Sequence, residues 1–109
     1  MFKRGESNTK GSVDTKGDLP VTAVTIDRLI STQEVPIPSL VKMDIEGGEY
    51  RALIGARATL SEHHPEIFLA THSEEIHRRC CEFLRSLGYK LRPVLGDDVN
   101  ATDEIIAFY

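Results

Sequence analysis

Residues Leu40 to Tyr50 read LVKMDIEGGEY, a short apolar run that ends in two carboxylates and a pair of glycines. The pattern predicts a strand, a tight turn and a helix start. Val41, Met43 and Ile45 alternate with Lys42, Asp44 and Glu46, so a strand over Leu40 to Ile45 sets three apolar side chains on one face and three charged ones on the other. Gly47 and Gly48 free the backbone to reverse sharply. Glu49 follows in a first helical turn, where exposed amide groups favour negative charge. Ligands of open α/β sheets bind beyond the carboxyl ends of the strands, so Asp44, Glu46 and the glycines form the candidate site.

Downstream, Tyr50, Leu53, Ala56 and Leu60 recur at helical spacing and predict a helix from Glu49 to about Ser61, with Arg51 and Arg57 toward solvent. The Pro65 region stops it. Glu66 to Thr71, EIFLAT, is an apolar run of strand length without alternation, which predicts burial on both faces as in a parallel sheet. Ile76, Cys80, Phe83, Leu84 and Leu87 mark a second helical face, and Gly88 is placed to end it. Tyr89 to Leu95 and Glu104 to Tyr109 read as two strands, separated by the turn-forming segment GDDVNAT at Gly96 to Thr102. With no helix between them, these strands should be antiparallel.

Upstream, the β-branched segment VTAVTI at Val21 to Ile26 predicts a strand that runs into a short helical or irregular stretch around Asp27 to Ile30. Met1 to Pro20 has almost no apolar content and reads as a flexible lead-in. Alternating strands and helices over Val21 to Tyr109 imply an α/β domain, with a mainly parallel sheet, helices on its faces and an antiparallel C-terminal strand.

The chain has 109 residues, 17 acidic against 13 basic, for a formal charge of -4. No basic block or aromatic-rich basic stripe is present, which disfavours nucleic acid as a partner. No apolar run approaches the roughly 18 residues of a membrane helix, and MFKRGESNTK lacks the apolar core of a secretory leader, so no membrane partner and a cytoplasmic location are expected. Cys80 and Cys81 are adjacent, matching neither a redox pair nor zinc-ligand spacing, and should be reduced thiols.

Asp44 and Glu46, two apart on a strand, can converge on one ligand, either to hold a metal or to take a proton. The same pair is also what a solvent-facing strand end followed by a helix N-terminal acid looks like. If the strand is covered on both faces, Lys42 and Asp44 must pair, because an isolated buried charge is very costly; on an edge strand that requirement disappears. His72 follows a strand at the ligand end and can contact substrate or act as a base. His63 and His64 belong to the opposite end and read as surface residues, His77 reads as solvent-facing, and Cys80 reads as an apolar filler of the helix stripe.

The stretch KMDIEGGEYRALIGA resembles the FkbM-type family of S-adenosylmethionine-dependent methyltransferases, whose hallmark is a strand K-x-D-x-E-G-x-E with a following helix L-x-G-A. Lys42, Asp44, Glu46, Gly47, Glu49, Leu53, Gly55 and Ala56 match it. VTAVTIDRL upstream, and PEIFLATH and FLRSLGY downstream, are also similar, so the resemblance spans about Val21 to Tyr109. Ala70 and Thr71 depart from it, where many relatives carry a glutamate before the histidine. The family holds its cofactor mainly on its first strands, with a glycine-rich loop after the first. No G-x-G-type loop follows a strand here, so the resemblance is to the carboxyl part of the domain, a partial Rossmann-like sheet with the cofactor-binding half absent from this chain. It implies S-adenosylmethionine as cofactor and methylation of a hydroxyl on a small molecule or sugar. Asp44 and Glu46 would then orient or deprotonate the acceptor, with a divalent metal ion as an option, Lys42 supporting the strand end and His72 lining the substrate side. Methyl transfer requires close in-line placement, so positioning carries much of such catalysis. The rival expectation is a non-catalytic α/β module that self-associates or binds another chain through an open sheet edge.

Overall fold

The structure, a computed structural model, describes residues 24–109. The lead-in expected over Met1 to Pro20 lies outside the described residues, as do residues 21–23. The rest of the strand expected at Val21 to Ile26 is not a strand. Thr25 caps helix α1 (Ile26–Ser31), its hydroxyl accepting the Arg28 N–H at 3.0 Å. A β-branched run favours a strand by propensity, but a threonine that satisfies an orphan amide at a helix start outweighs it here.

Four strands follow, β1 (Leu40–Met43), β2 (Glu66–Ala70), β3 (Lys90–Pro93) and β4 (Glu104–Phe108), in the sheet order β1-β2-β4-β3. β1 and β2 are parallel, with Lys42 opposite Phe68, whereas β4 is antiparallel to both β2 and β3. The sheet is therefore mixed. Strands β1, β2 and β3 point the same way, but only the β1–β2 ladder is parallel because β4, the one reversed strand, lies between β2 and β3. A short 3-10 turn (Val99–Ala101) connects β3 to β4 without a crossover helix, which imposes the antiparallel pairing. Pro93 lies in β3, at the sheet edge, where a missing N–H is tolerated.

The single helix expected from Glu49 is two helices, α2 (Glu49–Ile54) and α3 (Arg57–His63), broken at Gly55 and Ala56. Asp27 accounts for the break. Its N–H binds the Gly55 carbonyl at 2.9 Å, and its carboxylate accepts the N–H groups of Ala58 at 2.9 Å and Thr59 at 2.8 Å, together with the Thr59 hydroxyl. A carboxylate distant in sequence thus caps α3 and lowers the cost of restarting a helix. Gly55 permits the approach, since a Cβ there would meet the Thr25 side chain at 3.1 Å. Helix α4 (Glu74–Ser86) ends as the sequence implies: Gly88 has φ +96, the Tyr89 N–H reaches the Leu84 carbonyl and the Gly88 N–H that of Arg85, both at 3.0 Å.

One face of the sheet is the core. Met43, Ile67, Leu69, Ile105 and Ala107 pack with Leu53, Ala56, Leu60, Cys80, Phe83 and Leu84 from the helices. The other face carries Leu40, 61% exposed, with Lys42, Phe68 and Ile106. Phe68 is only half-buried, so the two-sided burial expected for Glu66 to Thr71 is not met: among the described residues the helical core covers one face alone. Cys80 and Cys81 are free thiols in the core. Burial pushes Cys80 up to about 12, with the Glu49 and Cys81 charges adding to the shift. Among the described residues no helix is long and apolar enough to cross a membrane.

Candidate active site

Asp44 stands one residue beyond the end of β1. The chain then reverses through Ile45 to Gly48, where the Gly48 N–H meets the Ile45 carbonyl at 3.3 Å. Both central residues are left-handed, Glu46 at φ +58 and Gly47 at φ +103, as a type I′ turn requires. Glycine adopts this freely, whereas glutamate does so at a cost of roughly 1–2 kcal/mol. Gly48 has φ -91 and simply precedes α2, so only one glycine of the pair uses its freedom.

Glu49 stabilises the turn. It is wholly buried, 0% exposed, and does not face solvent as a helix N-terminal acid would. One carboxylate oxygen, Oε2, accepts the Ile45 N–H at 2.9 Å, and the other accepts the Gly47 N–H at 3.2 Å. A buried carboxylate is tolerable only when its oxygens are satisfied in this way. The reversal therefore rests on a side chain that lies just after it in sequence.

His72 completes the cluster. Because β1 and β2 are parallel, their carboxyl ends meet at one end of the sheet, and His72 leaves β2 beside Asp44. Its Nδ1 lies 3.1 Å from Glu49 Oε2, while Nε2 lies 3.2 Å from Asp44 Oδ1 and 3.1 Å from Glu46 Oε2. Among the described residues, both ring nitrogens face carboxylate oxygens. Asp44, Glu46 and His72 are accessible, and Glu49 forms the buried floor. The arrangement can exchange protons with a ligand or hold a cation.

The structure thus unites Asp44, Glu46 and His72. Lys42 stays apart on the exposed sheet face, its ammonium 5.8 Å from the Phe68 ring centroid. No pairing with Asp44 is required on a strand that is an edge of the described sheet. His63 and His64 are exposed, the latter stacked on Tyr109. His77 is a correction: it is 7% exposed, bonded through Nδ1 to the Thr71 hydroxyl at 2.9 Å and through Nε2 to the Val99 carbonyl at 2.8 Å. Helical periodicity separates faces, but it does not report that a turn 22 residues later folds over a polar position.

Fold and cluster together define an α/β domain whose polar site opens at the strand carboxyl ends. The chain belongs to the Methyltransferase FkbM domain family, whose model matches residues 2–91 and so begins upstream of Val21. It is also similar to the hexuronic acid methyltransferase AglP of Haloferax volcanii, 37% identical over 49 residues. That alignment covers 45% of this chain and 20% of the relative, so the chain spans a small part of that protein's length. No solved structure matches the chain.

Proposed function

We propose that this domain forms the acceptor side of an S-adenosylmethionine-dependent methyltransferase that modifies a hydroxyl on a small molecule or sugar. The observation that carries the reading is the His72 ring clasped between buried Glu49 and the two accessible carboxylates, in a chain of the FkbM family. An acceptor hydroxyl entering at the open side would donate to Asp44 or Glu46, which takes its proton as the oxygen becomes nucleophilic. His72 lies against both of these carboxylates, and Glu49 keeps the ring aimed at the opening. The hexuronic acid activity in the relative's name favours a sugar-type acceptor.

The described residues do not fit the cofactor itself. No G-x-G-type loop follows any of their strands, and in the turn after β1 the Ile45 and Gly47 amides are already bound to Glu49. A divalent cation fits better: Asp44, Glu49 and His72 each offer a ligand atom, and these atoms lie within 4.8 Å of one another. Asp44 and the His72 Nε2 would hold it and Glu49 would orient the ring, as carboxylates commonly do for metal-bound histidines; the ion would supply a Lewis acid for the hydroxyl.

The test is an amide NMR titration of the chain with glucuronic acid and with a neutral hexose, with and without magnesium. Shifts should concentrate at Gly47, Gly48 and His72. No response there up to about 10 mM, equivalent to affinity weaker than about -3 kcal/mol, would remove the acceptor-site reading. A second reading, a non-catalytic module that associates through β1, is favoured by the exposed Leu40 and by the unpartnered outer edge of β1 in the described sheet. Sedimentation velocity over a concentration series separates the two, because that reading requires self-association abolished by Leu40→Lys.

A further inference from the structure

We propose that His77 is a positioning residue for His72, clamping the chain on both sides of it. The proposal rests on the reading of the His72 cluster as a reaction centre. His77 lies in the first turn of α4, and its N–H binds the Ser73 carbonyl at 2.9 Å. Ser73 in turn caps the helix, its hydroxyl accepting the Ile76 N–H at 3.1 Å. Residue 73 is therefore tied to α4.

Residue 71 is tied to the same helix by a different route. The Val99 carbonyl can only accept, so His77 Nε2 carries a proton toward it. In the neutral ring Nδ1 is then an acceptor, and it takes the Thr71 hydroxyl at 2.9 Å. The Thr71 N–H is meanwhile held by the Asp103 carbonyl at 2.8 Å. Thr71 and His77 are both buried, so an unmet partner at either would carry a desolvation penalty and the bonds persist.

His72 is thus strung between two ties to α4, the Thr71 hydroxyl bound to His77 and the Ser73 cap. With the backbone held on either side, the Cα–Cβ bond of His72 keeps a fixed origin from which the ring meets Asp44, Glu46 and Glu49. The His77 side chain touches none of those carboxylates and acts through Thr71, while its N–H holds Ser73. The same clamp fastens the Val99 to Asp103 connection, so that loop and His72 keep a common placement at the end of β2.

The experiment compares Thr71→Val, which removes the hydroxyl at nearly constant shape, with Thr71→Ser, which keeps it, and adds His77→Phe. Long-range proton–nitrogen NMR spectra of histidine-labelled chain read the protonation pattern and environment of each His72 nitrogen. Thr71→Val and His77→Phe should move both nitrogens toward the values of a free, exchanging imidazole while amide dispersion persists. Thr71→Ser should restore the native pattern. A folded Thr71→Val with an unchanged His72 pattern overturns the proposal, as does global unfolding of that variant, which would make the hydroxyl a structural requirement only. If His77→Phe alone unfolds, the two Thr71 variants decide. These spectra need no ligand, so the outcome is separate from the acceptor titration: absent acceptor shifts would remove the reaction-centre reading and leave the clamp standing.

Discussion

Replacing Glu49 by glutamine tests whether a buried carboxylate builds the site. The change is nearly isosteric, so its effect isolates charge and hydrogen bonding. At present the carboxylate accepts from Ile45, Gly47 and His72. A glutamine oxygen placed at the Oε2 position keeps Ile45 and His72, but bonds to a charged acceptor contribute about 1.5–3 kcal/mol against about 0.5–1.5 for neutral ones, a loss of about 1 kcal/mol each. The new amide group then faces the Gly47 N–H, donor against donor, for about 1–3 kcal/mol more. The sum is about 3–5 kcal/mol, a large share of the roughly 5–15 kcal/mol that stabilises an ordinary domain. For a chain of this size that corresponds to a fall in melting temperature of about 12 °C or more. Urea and thermal unfolding of Glu49→Gln would measure it, with the Gly47 and His72 NMR signals as a local readout. A loss below about 1 kcal/mol, or an unmoved Gly47 amide, would refute the reasoning and place the carboxylate outside the turn.

Other expectations are more direct. In an FkbM-family enzyme carrying the same KMDIEGGE motif, Asp44→Asn should lower turnover strongly and leave the melting temperature nearly unchanged, because Asp44 is half exposed and, among the described residues, is bound by His72 alone; steady-state kinetics beside a melting curve would show it, and unchanged turnover would reduce Asp44 to a structural acid. Calorimetric titration of this chain with S-adenosylmethionine should give no saturable binding at low micromolar ligand, since about -8 kcal/mol of affinity needs most of a cofactor pocket. Stability should also fall in alkali. Burial pushes the Cys80 thiol from 9.0 to about 12, and burial followed by Tyr109 pushes the Tyr89 phenol from 10.0 to about 12. Both groups stay neutral in the folded chain where the unfolded chain ionises, so their contribution is complete below about pH 9 and is lost as pH climbs toward 12. Urea midpoints at pH 8 and 11 would register the decline, Cys80→Ala should make it shallower, and a flat profile would contradict the burial.

Much of the site was legible in the stretch from Leu40 to Tyr50, because strand alternation, a glycine reversal and a helix start are local effects with local signatures. Asp44 and Glu46 follow from that pattern, and His72 follows from its place after an apolar strand-length run. Gly88 was equally readable, since only the last helical turn and the next two residues decide a left-handed helix end. The tertiary structure decided what depends on residues far apart in sequence. Glu49 read as a helix N-terminal acid, and only the fold shows it buried, with His72, 23 residues on, against it. Asp27 splits one periodic helix into two because its carboxylate arrives from 31 residues upstream to cap the second. His77 became buried when the Val99 turn packed across it, and β4 made the sheet mixed by inserting between β2 and β3. In each case the deciding interaction joins groups that periodicity treats as independent, since a helical or strand repeat records which face a residue occupies but not which distant carbonyl, carboxylate or imidazole will meet it there.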